Sequence, residues 1–199
     1  MNINAIQLRF AKPIITCSLF LCFFFSNAVT VNQEKRMMLK NDPVPAQKVI
    51  TQFLQWYKIN LHKANSFPLL KKDSAGNYMV NRKAVTGYLN FIKSSKCISP
   101  RYIAHWQTYF DDKATELKEH LLQSDMPEGF DFDFVLITQE PELVLNKISS
   151  LKFKTVSMNK SVALIGVTLL SDSSVQYEYE LYKGKKGWQI GYISTPNYD

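Results

Sequence analysis

"VQYEYELYKGKKGWQIGYI", residues 175–193, is the stretch that decides the fold. Its first half places apolar or aromatic side chains at 175, 177, 179 and 181 and polar ones at 176, 178 and 180. Such alternation is typical of a β-strand with one buried and one solvated face. Trp188, Ile190 and Tyr192 continue the pattern after a Gly-Lys-Lys-Gly connection at 184–187. Because connections this short join antiparallel neighbours, the stretch predicts an antiparallel hairpin.

Two more strands are predicted before this hairpin. Residues 142–158 and 161–170 suit strands, and the hairpin strands are expected at 174–183 and 187–194. The connections between these segments are short, as in an antiparallel meander. Before residue 142 the apolar periodicity is helical instead. Helices followed by a meander predict an α+β fold, with N-terminal helices packed on one face of a four-stranded antiparallel sheet.

Three helices are predicted in the first part of the domain. The first runs from Pro45 to about residue 64, because apolar side chains at 50, 53, 54, 57 and 61 fall on one helical face. Asn81 is placed to cap the second helix, and the Ser-Pro pair at 99–100 is a start signal for the third. Residues 66–81 predict a loop or small hairpin with a turn at 76–77. The acidic pair at 111–112 is a candidate break in the third helix.

The N-terminus has the composition of an export signal. Arg9 and Lys12 precede an apolar run at 14–25, and small residues at 26 and 28 mark a cleavage site. We therefore expect a signal peptide at 1–28, a flexible linker at 29–43 and one α+β domain at 44–199. The apolar run is shorter than the roughly 20 residues of a transmembrane helix. A periplasmic or secreted protein without a stable membrane span is expected, and an uncleaved N-terminal anchor is the alternative.

Cysteine content and charge bound the function further. Cleavage after residue 28 removes Cys17 and Cys22, so Cys97 alone remains and no internal disulfide is expected. All 17 acids and all but two of the 24 bases follow residue 28, so the exported chain keeps a net positive charge. Export removes most contact with nucleic acid, and the charge suits a solvated surface or an anionic envelope component.

Several short motifs together resemble a known family. They are Phe-x-x-Trp-Tyr at 53–57, Gly-Asn-Tyr-Met-Val at 76–80, Tyr-Leu-Asn-Phe-Ile at 88–92, Cys-Ile-Ser-Pro-Arg-Tyr-Ile at 97–103, Asp-Phe-Asp-Phe followed by Gln-Glu at 131–140, Tyr-x-Tyr-x-Leu at 177–181 and Gly-Trp-Gln-Ile-Gly-Tyr-Ile at 187–193. Their order over residues 44–194 resembles the bacterial envelope domain of unknown function typified by YbjP and YqhG. That domain resembles the nuclear-transport-factor-like, cystatin-like superfamily. The resemblance implies a strongly curved sheet that forms a cone-shaped cavity, and it implies no activity.

Asp131 and Asp133 are the first candidates for chemistry. At positions i and i+2 of an extended segment they are expected to point the same way, within the run Phe130, Phe132 and Phe134. Aromatic neighbours would raise a carboxyl pKa, as a general acid or base requires. The alternative is structural: the aromatics seal the core while the carboxylates accept backbone N–H groups. His105, beside a tryptophan in the third helix, is the one plausible pocket histidine.

Aromatic residues supply the candidates for ligand contact. We expect a pocket in the cone to use Trp56, Tyr57, Trp106, Tyr109 and Phe132, because aromatics with polar tips suit small ligands. The alternative for each is ordinary core packing at helical or strand spacing. No histidine pair has zinc spacing, and no phosphate-binding glycine loop or hydrolase motif occurs in the sequence. Neither a metal nor a cofactor is therefore predicted.

Three functions remain open from the sequence. The first is a non-enzymatic envelope protein that binds a small ligand or an envelope component. The second is a small isomerase- or hydrolase-type enzyme that uses a carboxylate in the cone pocket. The third is an immunity or inhibitor protein that blocks a partner through its surface.

Overall fold

The computed structural model describes residues 45–169 and 172–195, and the side chains of residues 45–169 and 176–195. The predicted signal peptide at 1–28 and linker at 29–43 lie outside the described residues. The elements in chain order are helix α1 (Pro45–Asn65), strands β1 (Leu70–Lys72) and β2 (Tyr78–Val80), helices α2 (Arg82–Lys93), α3 (Pro100–Glu119) and α4 (Pro141–Leu145), a 3₁₀ turn (Ile148–Ser150), and strands β3 (Leu151–Met158), β4 (Val162–Leu169), β5 (Asp172–Gly184) and β6 (Gly187–Ser194).

The predicted α+β fold is confirmed. Strands β3 to β6 form an antiparallel sheet in their chain order, with β3 and β6 at its edges. The register shifts between Thr155 and Ser157, and again between Glu180 and Leu181. Such bulges bend strands and increase their local twist.

The core lies between this sheet and the first helices. Strand β4 alternates strictly between buried and half-buried positions, with Ile165 and Val167 on its buried face. Tyr179 and Leu181 continue that face on β5. Helix α1 packs on β4 and β6, and α3 packs on β6. Burial of this apolar surface is the main driving force for the fold.

Local signals account for the helix boundaries. The Asn81 side chain accepts a hydrogen bond from the Ala84 N–H at 3.3 Å, and Ser99 Oγ accepts one from the Tyr102 N–H at 3.5 Å. These caps satisfy N–H groups that have no partner within the helix. The candidate break at 111–112 is wrong, because α3 is continuous through it. Asp111 there forms an ion pair with Arg82 of α2.

The strand predicted at 142–158 begins nine residues late. Residues 141–145 form α4 and residues 148–150 form a 3₁₀ turn. Pro141 occupies the first helical position, where its missing N–H costs nothing. Val144 and Leu145 are buried while Leu143 is exposed, a helical pattern too short to separate from a strand in the sequence.

Within the described ranges, every helix is too short or too polar to span the apolar part of a bilayer.

Candidate functional site

The segment between α3 and α4 folds as a series of turns. Asp133 and Thr138 form an isolated antiparallel bridge, in which the Asp133 N–H donates to the Thr138 carbonyl oxygen at 2.8 Å. Gly129 at φ 86° and Ile137 at φ 49° provide the left-handed backbone that this path needs. Asp133 is buried while Asp131 is exposed. The expectation of an extended segment is therefore wrong, and the two carboxylates differ in burial.

Asp133 ties this segment to itself and to α1. Its Oδ1 accepts hydrogen bonds from the N–H groups of Val135 at 3.0 Å and Leu136 at 2.8 Å. Its Oδ2 accepts a hydrogen bond from the Tyr57 hydroxyl. Three donors thus converge on one buried carboxylate, and the side chain closes the turn that places Val135 and Leu136 in the core.

The electrostatics of Asp133 reflect this enclosure. Burial raises the pKa of Asp133, while the hydrogen bonds from Tyr57, Leu136 and Val135 act in the opposite direction. Burial also raises the pKa of Tyr57, and the neighbouring Tyr88 and Asp133 add to that rise. The tyrosine therefore stays a neutral donor to the carboxylate at any physiological pH.

A concave site borders this turn. Its volume is about 470 Å³. It lies between the end of α1, residues 67–70, and residues 126–141, and we call it the groove. The groove is lined by Ala64, Asn65, Phe67, Pro68, Leu69, Leu70, Tyr88, Met126, Phe130, Asp131, Phe132, Asp133, Phe134, Gln139 and Pro141. Most of these residues are aromatic or aliphatic, and polar groups contribute a comparable share of the exposed lining.

The acidic side of the groove is the feature that sequence reasoning missed. Residues 121–146 contain six acids and no lysine or arginine, although the whole chain has a net charge of +7. Asp131 and Asp133 belong to this acidic segment and line the groove. Asp131 is exposed, and its Oδ2 accepts a hydrogen bond from Gln139 Nε2 at 3.0 Å. A local charge count along the sequence would have marked this segment.

Both predicted carboxylates line the groove, and they differ in state. The sequence left open whether they face a cavity or bind their own backbone. Asp133 does both, since it lines the groove and accepts two backbone hydrogen bonds. Asp131 faces the groove as an exposed carboxylate with one side-chain partner.

The predicted aromatic residues are dispersed by the fold. Phe132 lines the groove, 5.0 Å from the ring of Phe134. Tyr57 is buried at the Asp133 carboxylate and is not among the lining residues. Trp56 packs on Phe91 at 5.2 Å between ring centroids, on the side of α1 that faces α2.

The third helix carries the remaining predicted residues. Trp106 is buried with its ring 5.3 Å from Phe134. The Tyr109 hydroxyl donates to the Gly129 carbonyl oxygen at 2.7 Å and so supports the turn at the base of the acidic segment. His105 stacks edge-on to Tyr192 at 4.8 Å, and partial burial lowers its pKa. Neither His105, Trp106 nor Tyr109 is a lining residue of the groove.

Groove residues that the sequence did not single out come from distant parts of the chain. Asn65 ends α1, Phe67 precedes the β1–β2 hairpin, which Leu70 begins, and Gln139 precedes α4. Only tertiary packing brings these segments together. Among the described residues, no group of three or more histidine, cysteine or acidic side chains is arranged to hold a metal ion.

No protein-family model, curated protein or solved structure matches this chain. The family resemblance therefore stays a prediction, and the groove carries the functional argument.

Proposed function

We propose that this protein is a binding module of the bacterial envelope whose groove holds a small ligand with an apolar body and a positively charged amine. The observation that carries the proposal is the groove itself: a concavity lined by aromatic residues together with Asp131 and Asp133, on a protein of net positive charge. The envelope location rests on the composition of residues 1–28. The cystatin-like family assignment stays part of the same proposal.

Size and lining support a small ligand. A volume of about 470 Å³ lies within the range of small-molecule pockets. Phe67, Phe130 and Phe132 provide apolar surface, and aromatic faces also attract a cation that lies above them.

Charge supports an amine. Ionised carboxylates accept hydrogen bonds and donate none, so Asp131 recognises a donor or a cation. Asp131 and Asp133 line the groove within a segment of six acids and no lysine or arginine, and such a local excess of acids attracts cations.

The enzyme alternative has one observation in its favour. Asp133 lines the groove, has a raised pKa and contacts a tyrosine, which are features of an acid–base residue. A general base must direct a free lone pair at the proton that it removes. Asp133 instead directs both oxygens at groups of its own chain, and this favours a structural carboxylate in the wall of a binding site.

A ligand screen tests the proposal. Saturation-transfer NMR at low ionic strength would compare phenethylamine with the matched alcohol and carboxylate. We expect the amine to bind best, Asp131→Asn to weaken it by about two- to fivefold, and Phe132→Ala to weaken it by about tenfold. Asp112→Asn is the matched control, because this exposed α3 acid makes the same charge change outside the groove. Equal binding of all three compounds, or equal effects of the two acid variants, would contradict the proposal.

A further inference from the structure

A second concavity of about 440 Å³ lies at the other end of α1. Pro45 and Val49 of α1 line it together with Lys96, Lys183, Lys186 and Trp188. Its position is far from the groove: Val49 and Ala64, which line the two sites, are about 22 Å apart along the helix axis. Binding at this second concavity therefore does not depend on the proposed function of the groove.

Exposed lysines converge on this concavity. Lys183 and Lys186 belong to the β5–β6 hairpin, and Lys185 lies at its tip. Lys96 comes from the connection between α2 and α3, at a left-handed φ of 63°. All four are exposed. We call these lysines, with Trp188, the lysine face.

The charge of the lysine face is not compensated locally. None of its lysines forms an ion pair within the described part of the chain. No acidic side chain occurs among the described residues that line the concavity. From sequence alone Lys183, Lys185 and Lys186 are interpreted as solubilising charges at a hairpin tip. Their convergence with a lysine from another element and a tryptophan goes beyond that interpretation.

Trp188 adds an apolar component to the charge. It is half-buried and pairs across the hairpin with Lys183, whose ammonium lies 5.9 Å from the indole ring. Tryptophan is favoured at the boundary between lipid headgroups and acyl chains, and lysines around it attract anionic headgroups. The combination suits a charged interface with an apolar layer beneath it better than a dissolved anion.

From these observations we infer that the lysine face docks the protein on the anionic phospholipid headgroups of a bilayer. The contact is peripheral: ammonium groups lie among the phosphates and the Trp188 ring at the headgroup boundary. Screening by salt weakens such binding, because the Debye length falls to about 3 Å at 1 M ionic strength.

Vesicle partitioning of the protein as recovered from cells tests this inference. Partition coefficients are measured for pure phosphatidylcholine vesicles and for vesicles with 30 % phosphatidylglycerol, and the ratio of the two is the readout. Any neutral apolar contribution cancels in that ratio. Neutralising Lys183, Lys185 and Lys186 together by glutamine should lower the ratio by about 100-fold, at roughly fivefold for each lysine.

A matched triple variant controls for total charge. Lys58, Lys83 and Lys118 are exposed and lie on α1, α2 and α3 outside the lysine face. Replacing these three by glutamine should change the ratio by less than about fivefold. Equal losses in the two triple variants would overturn the proposal in favour of a general charge effect.

Trp188 provides a local readout. Anionic vesicles should shift its emission to the blue, and the shift should disappear in Trp188→Phe and in 1 M salt. An unshifted emission with vesicles bound would overturn the docking geometry. Loss of vesicle binding in millimolar inorganic phosphate would also overturn the proposal, because it would identify a site for free phosphate instead.

Discussion

The contact between Tyr57 and Asp133 gives the sharpest test of the structure. Tyr57→Phe removes one hydroxyl and keeps the ring, which packs on Phe53 at 6.1 Å between centroids. The lost hydrogen bond joins a neutral donor to a buried carboxylate. Bonds to charged groups contribute about 1.5–3 kcal/mol, and Tyr57 is only 1 % exposed, so little water can replace the lost donor. We expect the free energy of unfolding to fall by about 2 kcal/mol at pH 7.

The cost of Tyr57→Phe should depend on pH in a defined direction. Burial raises the pKa of Asp133 in the folded protein. The stability that Asp133 contributes is therefore complete below its unfolded pKa of about 3.9 and is lost as pH rises through its folded pKa. Tyr57 lowers that folded pKa. Removing the Tyr57 hydroxyl therefore raises the pKa of Asp133 further and extends the loss of stability to higher pH. At low pH the variant loses only a bond between neutral groups, worth about 1 kcal/mol.

Urea denaturation followed by tryptophan fluorescence, from pH 4 to pH 8, measures this difference. Tyr109→Phe is the control, because its hydroxyl donates to the neutral carbonyl of Gly129 at 2.7 Å. The pKa of Tyr109 is raised to about 12, chiefly by burial, so its bond stays neutral throughout the range. Its loss should cost about 1 kcal/mol at every pH. If the cost of Tyr57→Phe were below about 0.5 kcal/mol, or as flat with pH as the control, the carboxylate would not be held as a charged acceptor.

Three further predictions concern the same fold. Asp133→Asn should gain stability relative to the wild type as pH rises from 4 to 7, because the buried charge is absent; parallel pH curves for the two proteins in urea denaturation would contradict the raised pKa. Gly129→Ala should lower the free energy of unfolding by about 2–3 kcal/mol, because an alanine is strained at the φ of 86° and its Cβ would overlap the Tyr109 hydroxyl. Gly76→Ala is the control. Gly76 has a φ of 87° with open space around it, so this change should cost only about 1 kcal/mol. Ser99→Ala should cost about 1 kcal/mol through the lost α3 cap, and a midpoint of urea unfolding equal to that of the wild type would exclude the cap.

The sequence was sufficient for most of the architecture because the periodic segments are long. The apolar stripe of α1 from Ile50 to Leu61 extends over about three turns, and four of its five apolar positions are buried, at Ile50, Phe53, Leu54 and Tyr57. Caps at Asn81 and Ser99 mark helix starts through side-chain hydrogen bonds, which are local effects. The strand prediction was wrong for residues 142–150, because the five residues of α4 do not contain enough turns for a helical period to be recognised.

The site was only partly predictable, because the residues that form it are far apart in the sequence. Asp133 stood out as an acid among aromatics, but its partner Tyr57 is 76 residues away, and no local pattern relates the two. Phe132 was identified as a ligand contact and does line the groove. Asn65 and Gln139 carry no sequence signal, since single amides are common at helix ends and turns. The excess of acids at residues 121–146 can be counted in the sequence, but only the fold shows which cavity this segment borders.

The distribution of charge connects the two proposed surfaces. A cationic ligand is attracted to the acidic groove and repelled by the lysine face, while an anionic bilayer is attracted to the lysine face and repelled by residues 121–146. The two sites lie at opposite ends of α1, so one can be occupied without covering the other. Val49 and Ala64, which line the two sites, are about 22 Å apart along α1, a separation well beyond a Debye length of about 8 Å at physiological salt. At that separation the proposed bilayer contact would leave the proposed choice of ligand to the carboxylates and aromatic rings of the groove.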